Sequence, residues 1–142
     1  MTENEDDSLE NLIKSINLFD IQVMFECDTI NRFEPSTKTI WIDTRQNKRS
    51  RYYSLLHEFG HSILRSDPNF EQNFKIKLEK ATKGKESRVN LLREEVVAWE
   101  KAREFAESNG LPLDDKWFSF YCQKYIYQYA QWVVDPKSFT EE

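Results

Sequence analysis

The feature that most constrains this chain is the run over residues 55–64, which places His57 and His61 four residues apart and Glu58 between them. The run is apolar and helix-forming, and residues four apart on a helix project from one face about a turn apart. Two imidazoles so placed can bind one zinc ion at roughly 2.0–2.1 Å each. Glu58 lies about 100° further round, where it reaches a water on the metal more easily than the metal itself. The pattern predicts a zinc site with Glu58 as the proton acceptor.

The chain has two histidines, and both belong to this pattern. A third histidine ligand is therefore excluded. The alternative interpretation is a pair of ordinary surface histidines on a helix. A catalytic zinc site needs a third protein ligand, so the rest of the sequence must supply one.

The histidines are predicted to lie on a helix that starts with Ser50 as its N-cap and ends at Arg65 or Ser66, before Asp67 and Pro68. The apolar residues that share its core face are Tyr52, Leu55, Leu56, Phe59 and Ile63. The histidines share a different stripe with Ser50, Tyr53, Ser54 and Leu64. They are therefore not placed as two core histidines would be.

A second strong helix is predicted over residues 87–109, and it offers a third ligand. Glu95 lies at the centre of its apolar face, where a carboxylate is costly to bury unless a cation or hydrogen bonds compensate. A zinc ion on the two histidines is such a cation, so we predict Glu95 as the ligand. Glu94 lies about 100° away at the edge of the face and is the reserve ligand. Pairing of Glu95 with Arg88, or exposure of Glu95 in a groove, remains open.

Gly60 lies between the two stripes of the motif helix. Glycine lowers helix stability by on the order of 1 kcal/mol relative to alanine, so a compensating contact is expected. Ala98, on the second helix, is small enough to let that helix approach at Gly60. We predict that the two helices pack closely here.

The rest of the chain predicts an α+β fold in a single domain, residues 1–142, with residues 1–7 disordered. A small, mostly antiparallel sheet is expected to pack on the motif helix and the third-ligand helix, with additional N- and C-terminal helices. The predicted elements are a helix from near Ser8, strands over residues 21–27, 30–33 and 39–43, and a helix from Asp114 to Trp132.

Residues 67–88 allow several interpretations. Phe70, Phe74, Leu78 and Ala81 recur at helical spacing, and Gly84 is a candidate helix end. Basic residues are frequent in the second half of this segment, at Lys75, Lys77, Lys80, Lys83, Lys85 and Arg88. We favour a solvated helix and loop over a lid beside the metal site. Contact with nucleic acid is a third interpretation, which predicts strongly salt-dependent binding.

Charge and composition restrict the function classes. The net charge of −5 disfavours a general nucleic-acid binder. No apolar run is long enough to span a membrane, and no signal-peptide pattern is visible, so we expect no membrane partner. Cys27 and Cys122 lie in apolar surroundings and are predicted to be buried free thiols, which favours a cytoplasmic location. The oligomeric state is left open.

The last helix is rich in aromatic residues, and the chain has six tyrosines. One tyrosine hydroxyl can stabilise an oxyanion in a hydrolase site, but the sequence does not select which. Tyr53 shares the stripe of the histidines and is a weak candidate.

With the run His-Glu-Phe-Gly-His at residues 57–61 and Glu-x-x-Ala at residues 95–98, the chain resembles the small intracellular zinc metallopeptidases of the ImmA/IrrE type. More broadly it is similar to a minimal gluzincin. The resemblance covers roughly residues 21–106. It implies a zincin-like fold and hydrolysis of peptide bonds in a protein or peptide substrate. Members of this family often act in phage and mobile-element regulation, so the implied substrate is a regulator or repressor.

For individual residues, the resemblance implies zinc ligation by His57, His61 and Glu95, with Glu58 as the catalytic base. It also implies that an edge strand lines the cleft, which we assign to residues 39–43. The ligand types favour zinc, although manganese, iron or cobalt can occupy the same set. A degenerate, metal-binding scaffold that binds a partner protein without cleaving it is the alternative function.

Overall fold

The computed structural model describes residues 5–77 and 84–138. In these ranges the chain folds into five α-helices, three β-strands and one short 3₁₀ helix, which is the α+β class expected from the sequence. The elements are α1 Glu5–Asn17, β1 Gln22–Glu26, β2 Arg32–Glu34, β3 Thr39–Asp43, α2 Lys48–Arg65, α3 Phe70–Phe74, α4 Lys85–Ser108, α5 Asp115–Val134 and the 3₁₀ helix Pro136–Ser138. None of the described helices is both long and apolar enough to cross a membrane.

The three strands form one mixed sheet in the order β1-β3-β2. Strand β3 pairs with β1 in parallel and with β2 antiparallel. The prediction of a mostly antiparallel sheet is therefore wrong for one of the two pairs. A short turn connects β2 to β3, so these two neighbours pair antiparallel. Strand β1 pairs with the other edge of β3 and runs parallel to it.

Strand β3 is the centre of the sheet, and four of its five residues are buried. The assignment of residues 39–43 to the edge strand is therefore wrong. Strand β2 lies at one edge of the sheet, and its three residues are half-buried. The β-branched and aromatic side chains of β3 suit a strand whose residues are mostly buried.

Helix α2 carries the two histidines and is buried on nearly every side. Its N-cap is Asn47, whose side chain accepts a hydrogen bond from the backbone amide of Ser50 at 2.8 Å. The prediction that Ser50 caps the helix is thus wrong by three positions. Instead, the Ser50 hydroxyl lies 2.8 Å from the hydroxyl of Tyr121 and joins α2 to α5. Most residues of the histidine stripe are buried, as are most residues of the core face.

Helices α2 and α4 pack against each other more extensively than any other two elements. At Gly60 the approach is so close that a Cβ would overlap the carbonyl oxygen of Ala98. The predicted close contact between these two helices is confirmed. Glycine is required here because any side chain would push α4 away from α2.

The main core lies between α1, the inner face of the sheet, α2, α4 and α5. Its largest fully buried side chains include Trp99, Tyr52, Tyr53, Phe59, Leu12 and Ile16. Cys122 is half-buried, whereas Cys27 is exposed at the end of β1, so the prediction of two buried thiols is wrong for Cys27. Apolar neighbours in the sequence do not reveal whether an edge strand is covered.

Two further boundaries differ from the prediction. Helix α1 begins at Glu5, so residues 5–7, expected to be disordered, are helical. Gly84 is the N-cap of α4, and α3 already ends at Phe74. Leu78 and Ala81, together with residues 1–4, lie outside the described residues.

Candidate metal centre

Three side chains from α2 and α4 converge on one point. The Nε2 atom of His57 lies 2.8 Å from Oε2 of Glu95. The Nε2 atom of His61 lies 3.0 Å from the other carboxylate oxygen of Glu95 and 3.1 Å from Nε2 of His57. Helix geometry places the two imidazoles on one stripe, and the contact at Gly60 brings α4 near enough for the carboxylate to reach both.

The arrangement fits one divalent metal ion. Four ligands in a tetrahedron with bonds of roughly 2.0–2.1 Å lie about 3.3 Å from one another. The two imidazole nitrogens are 3.1 Å apart, close to this value, and each lies within 3.0 Å of one of the two oxygens of Glu95. Two imidazole nitrogens and a carboxylate oxygen form a donor set that suits zinc and also accommodates other first-row ions. His57, His61 and Glu95 can therefore hold a metal ion.

The open alternatives for Glu95 do not match its surroundings. Its residue is 0% exposed, so it does not face a solvent-filled groove. Arg88 donates from its guanidinium to the carbonyl oxygen of Val133. The pKa of Glu95 is lowered far below its usual range, because the charges and hydrogen bonds of His57 and His61 outweigh the opposing effect of burial.

Aromatic rings fix the position of His57. Its imidazole stacks on Trp99, with ring centroids 4.1 Å apart and planes 5° from parallel. Tyr125 lies beside both rings, with its ring centroid 5.7 Å from that of His57 and 6.0 Å from that of Trp99. The indole Nε1–H of Trp99 donates to Oε2 of Glu95 at 3.0 Å. Trp99 follows Glu95 by four residues and so shares its face of α4, which is the signal in the sequence for this contact.

Charged groups fix the position of His61. Its Nδ1 lies 2.7 Å from Oε2 of Glu94, and Arg65 donates to both oxygens of the same carboxylate at 3.0 and 2.7 Å. Burial opposes ionisation of Glu94, but these hydrogen bonds prevail and lower its pKa to about 2. Burial alone would lower the pKa of His61. Its two carboxylate partners, Glu94 and Glu95, outweigh this effect and raise the pKa well above the usual value.

Glu94 therefore has a different place from the one expected. It was predicted at the edge of the apolar face as a reserve ligand, yet it is only 1% exposed. Glu94 contacts Nδ1 of His61, whereas the other ring nitrogen, Nε2, faces Glu95 and the candidate metal point. The sequence contained a signal for this contact, because Arg65 follows His61 by four residues and so shares its face.

Glu58 is buried beside the three candidate ligand residues. Its Oε2 lies 3.4 Å from Nδ1 of His57. Burial raises the pKa of Glu58, and the charges of His57 and His61 only partly offset this effect. The carboxylate therefore takes up a proton more readily than an exposed glutamate does.

The ligand residues and Glu58 open onto a cavity of about 450 Å³. Its walls come from residues 30–33 at strand β2, from Leu91 on α4 and from Tyr125, Gln128 and Tyr129 on α5. Residues 67–77 do not line it, so the lid interpretation gains no support from this described part of the segment.

Two of the six tyrosines line this cavity, Tyr125 and Tyr129. Burial raises the pKa of Tyr129, so its hydroxyl stays protonated to a higher pH than that of an exposed tyrosine. Tyr53, the weak candidate from the sequence, lies elsewhere, and its hydroxyl accepts a hydrogen bond from the Asp114 amide. The helical spacing of Tyr125 and Tyr129 puts both on the cavity side of α5.

Comparisons of this chain with protein-family models, with curated proteins and with solved structures found no match. The geometry of the site and the motif at residues 57–61 are therefore the features that bear on function.

Proposed function

We propose that this chain is a zinc-dependent metallopeptidase of the ImmA/IrrE type that hydrolyses peptide bonds of a protein substrate. The observation that carries the proposal is the convergence of His57, His61 and Glu95 from two helices, beside a buried glutamate and an open cavity. A pair of histidines with a purely structural role does not require a fully buried carboxylate aimed at both Nε2 atoms. A hydrolytic metal site requires two histidines, a third protein ligand and a proton acceptor.

Each residue has a distinct role in this proposal. His57, His61 and Glu95 hold the metal ion, which when bound supplies Lewis-acid chemistry, lowering the pKa of a water to about 7 and polarising a carbonyl. Glu58 accepts the proton of the attacking water and returns it to the leaving amine. Its raised pKa brings it closer to the range in which both transfers proceed near neutral pH.

The cavity also supports a peptide as the substrate. Residues 30–33 form one wall, and β2 is one of the two edge strands of the sheet. An extended peptide can add to an edge strand through backbone hydrogen bonds. Tyr129 is the tyrosine we assign to hydrogen bonding of the developing oxyanion, because it lines the cavity and keeps its proton. A regulator or repressor remains the substrate that the resemblance implies.

The test uses zinc-loaded wild-type protein and Glu58→Gln, incubated with a peptide library from a digested proteome, with cleavage followed by mass spectrometry. Both proteins are expected to contain equal zinc, and the variant should cleave about 100-fold more slowly or worse. Glu100→Gln, an exposed carboxylate on α4, is the matched control and should cleave normally.

Equal cleavage by wild-type protein and Glu58→Gln would remove Glu58 as the base. Zinc binding without cleavage by either protein would favour the alternative function, a scaffold that binds a partner protein.

A further inference from the structure

The contact between His61 and Glu94 fixes where the imidazole proton lies. The carboxylate of Glu94 accepts hydrogen bonds from Arg65 at both oxygens and lies 2.7 Å from Nδ1 of His61, so this nitrogen is placed to donate its proton to Glu94. In the neutral ring, Nε2 then has the free lone pair, and Nε2 is the atom that faces His57 and Glu95. The ring therefore presents the correct atom to a metal ion.

Arg65 fixes the carboxylate in turn. Its Nε donates to one oxygen of Glu94 at 3.0 Å and its Nη2 donates to the other at 2.7 Å, a two-point contact that sets the carboxylate plane. The guanidinium also lies over the ring of Phe70, 4.8 Å from its centroid. The pair carries no net charge, so the burial of Glu94 adds no negative charge to the metal site.

His57 is held without such a partner. Its Nδ1 lies 3.4 Å from Glu58, which is longer than a good hydrogen bond, and its ring is fixed by stacking on Trp99. The two candidate ligands are therefore oriented by different means: both Nε2 atoms face Glu95, but only His61 has a carboxylate hydrogen bonded at Nδ1, the nitrogen on the far side of the ring.

We propose that Glu94, clamped by Arg65, is a positioning residue that orients His61 for metal binding and sets the metal affinity of the site. This inference rests on the metal site of the proposed function. Hydrogen-bond partners of metal-bound histidines typically change metal affinity by 10–100-fold when they are removed. We expect a loss in this range without loss of the zinc stoichiometry at saturation.

The experiment compares wild-type protein with Glu94→Gln and with the double variant Glu94→Leu/Arg65→Leu. The double variant leaves no unpaired buried charge and so guards against a fold defect of the single change. Zinc affinity is measured by competition with a chromophoric chelator. Glu104→Gln, which removes an exposed ion pair with Lys101 on the same helix, is the matched control and should keep the wild-type affinity.

A second readout detects orientation directly. The chain has two histidines, so the NMR spectrum of the zinc-loaded protein contains two imidazoles. The Nδ1 proton of His61 is expected downfield and slow to exchange with water in the wild type, because Glu94 accepts it. In the double variant this proton should exchange rapidly, and the zinc affinity should fall about 10–100-fold.

Wild-type affinity with an unchanged His61 proton in both variants would overturn the inference and leave the metal site intact. Reduced affinity with an unchanged proton would also overturn it, because charge and not orientation would then be responsible. A wild-type protein that binds no zinc would overturn the proposed function and this inference with it.

Discussion

The two sides of the candidate metal centre are built from opposite chemistry. On one side, His57 stacks on Trp99, and Tyr125 lies beside both rings. On the other side, His61 is hydrogen bonded to the buried Glu94–Arg65 pair. The two histidines are one helical turn apart, yet one is held by apolar packing and the other by charged hydrogen bonds.

The difference separates stability from metal affinity. Stacking buries a large apolar area and restrains the plane of a ring, but it does not select which nitrogen carries the proton. A carboxylate partner selects the proton position, yet a buried ion pair adds little net stability relative to apolar residues of the same size. Changes on the His57 side should therefore mainly lower the free energy of unfolding, and changes on the His61 side should mainly lower zinc affinity.

The largest expected effect follows from Trp99→Ala. The residue is 1% exposed, and deleting a buried tryptophan side chain typically costs about 3–5 kcal/mol. Urea denaturation in the presence of a chelator measures this loss without a contribution from metal. Trp41→Ala on β3, where the tryptophan is half-buried, should cost clearly less. A loss of stability no greater than that of Glu94→Leu/Arg65→Leu would break the proposed division between the two sides.

Gly60→Ala should perturb both sides together. The new Cβ would overlap the backbone carbonyl of Ala98, and overpacking of this kind typically costs about 1–3 kcal/mol, against a gain of about 1 kcal/mol from helix propensity. Because α4 must move away, Glu95 should also withdraw from the histidines, so zinc affinity falls as well. The matched control is Gly84→Ala, since nothing lies within 4 Å of a Cβ there. Equal melting temperatures for Gly60→Ala and wild type would contradict the close packing.

Tyr129→Phe tests the role of a tyrosine hydroxyl in the wall of the cavity. Loss of the hydroxyl should slow peptide cleavage about 10–100-fold while zinc content stays constant, since one oxyanion hydrogen-bond donor is lost. Tyr127→Phe removes an exposed hydroxyl two residues earlier and should have no effect. Initial rates with a cleaved library peptide give the comparison, and equal rates for both variants would exclude Tyr129.

The smallest expected effect on the metal site comes from Asp43→Asn. This carboxylate is also held by an arginine, Arg45, whose hydrogen bonds lower the pKa of Asp43 to about 2. Because the folded-state pKa lies below the ordinary value of 3.8, the contribution to stability is present above about pH 4 and is lost as the pH falls towards 2. The variant should be less acid-sensitive than wild type in thermal melts at pH 2–5 and should bind zinc normally. Altered zinc affinity would show that arginine-clamped carboxylates act through general stability.

Local patterns in the sequence were sufficient for the helices that carry the site. The 3.6-residue period placed Glu95 on the apolar face of α4, and Gly60 indicated the close helix contact that the structure confirms. Both depend on residues close together in the chain, so period and residue type determine them.

Long-range arrangement could not be predicted in the same way. Strand β3 is central because of how β1 and β2 pair with it, and no residue within 39–43 specifies those partners. The burial of Glu94 depends on Arg65 arriving from another helix, 29 residues away in sequence. A helical projection of α4 alone puts Glu94 at the edge of the apolar face, and only the neighbouring helix extends that face over it.

The most direct test of the metal centre is zinc binding by wild type, Glu95→Gln and Glu94→Gln side by side, each measured for stoichiometry and affinity. We predict one zinc ion per wild-type chain, a loss of affinity of more than about 100-fold in Glu95→Gln, and full stoichiometry with weaker binding in Glu94→Gln. Binding by Glu95→Gln as tight as that of wild type, or no zinc bound by the wild type, would contradict the convergence of His57, His61 and Glu95 on one metal ion.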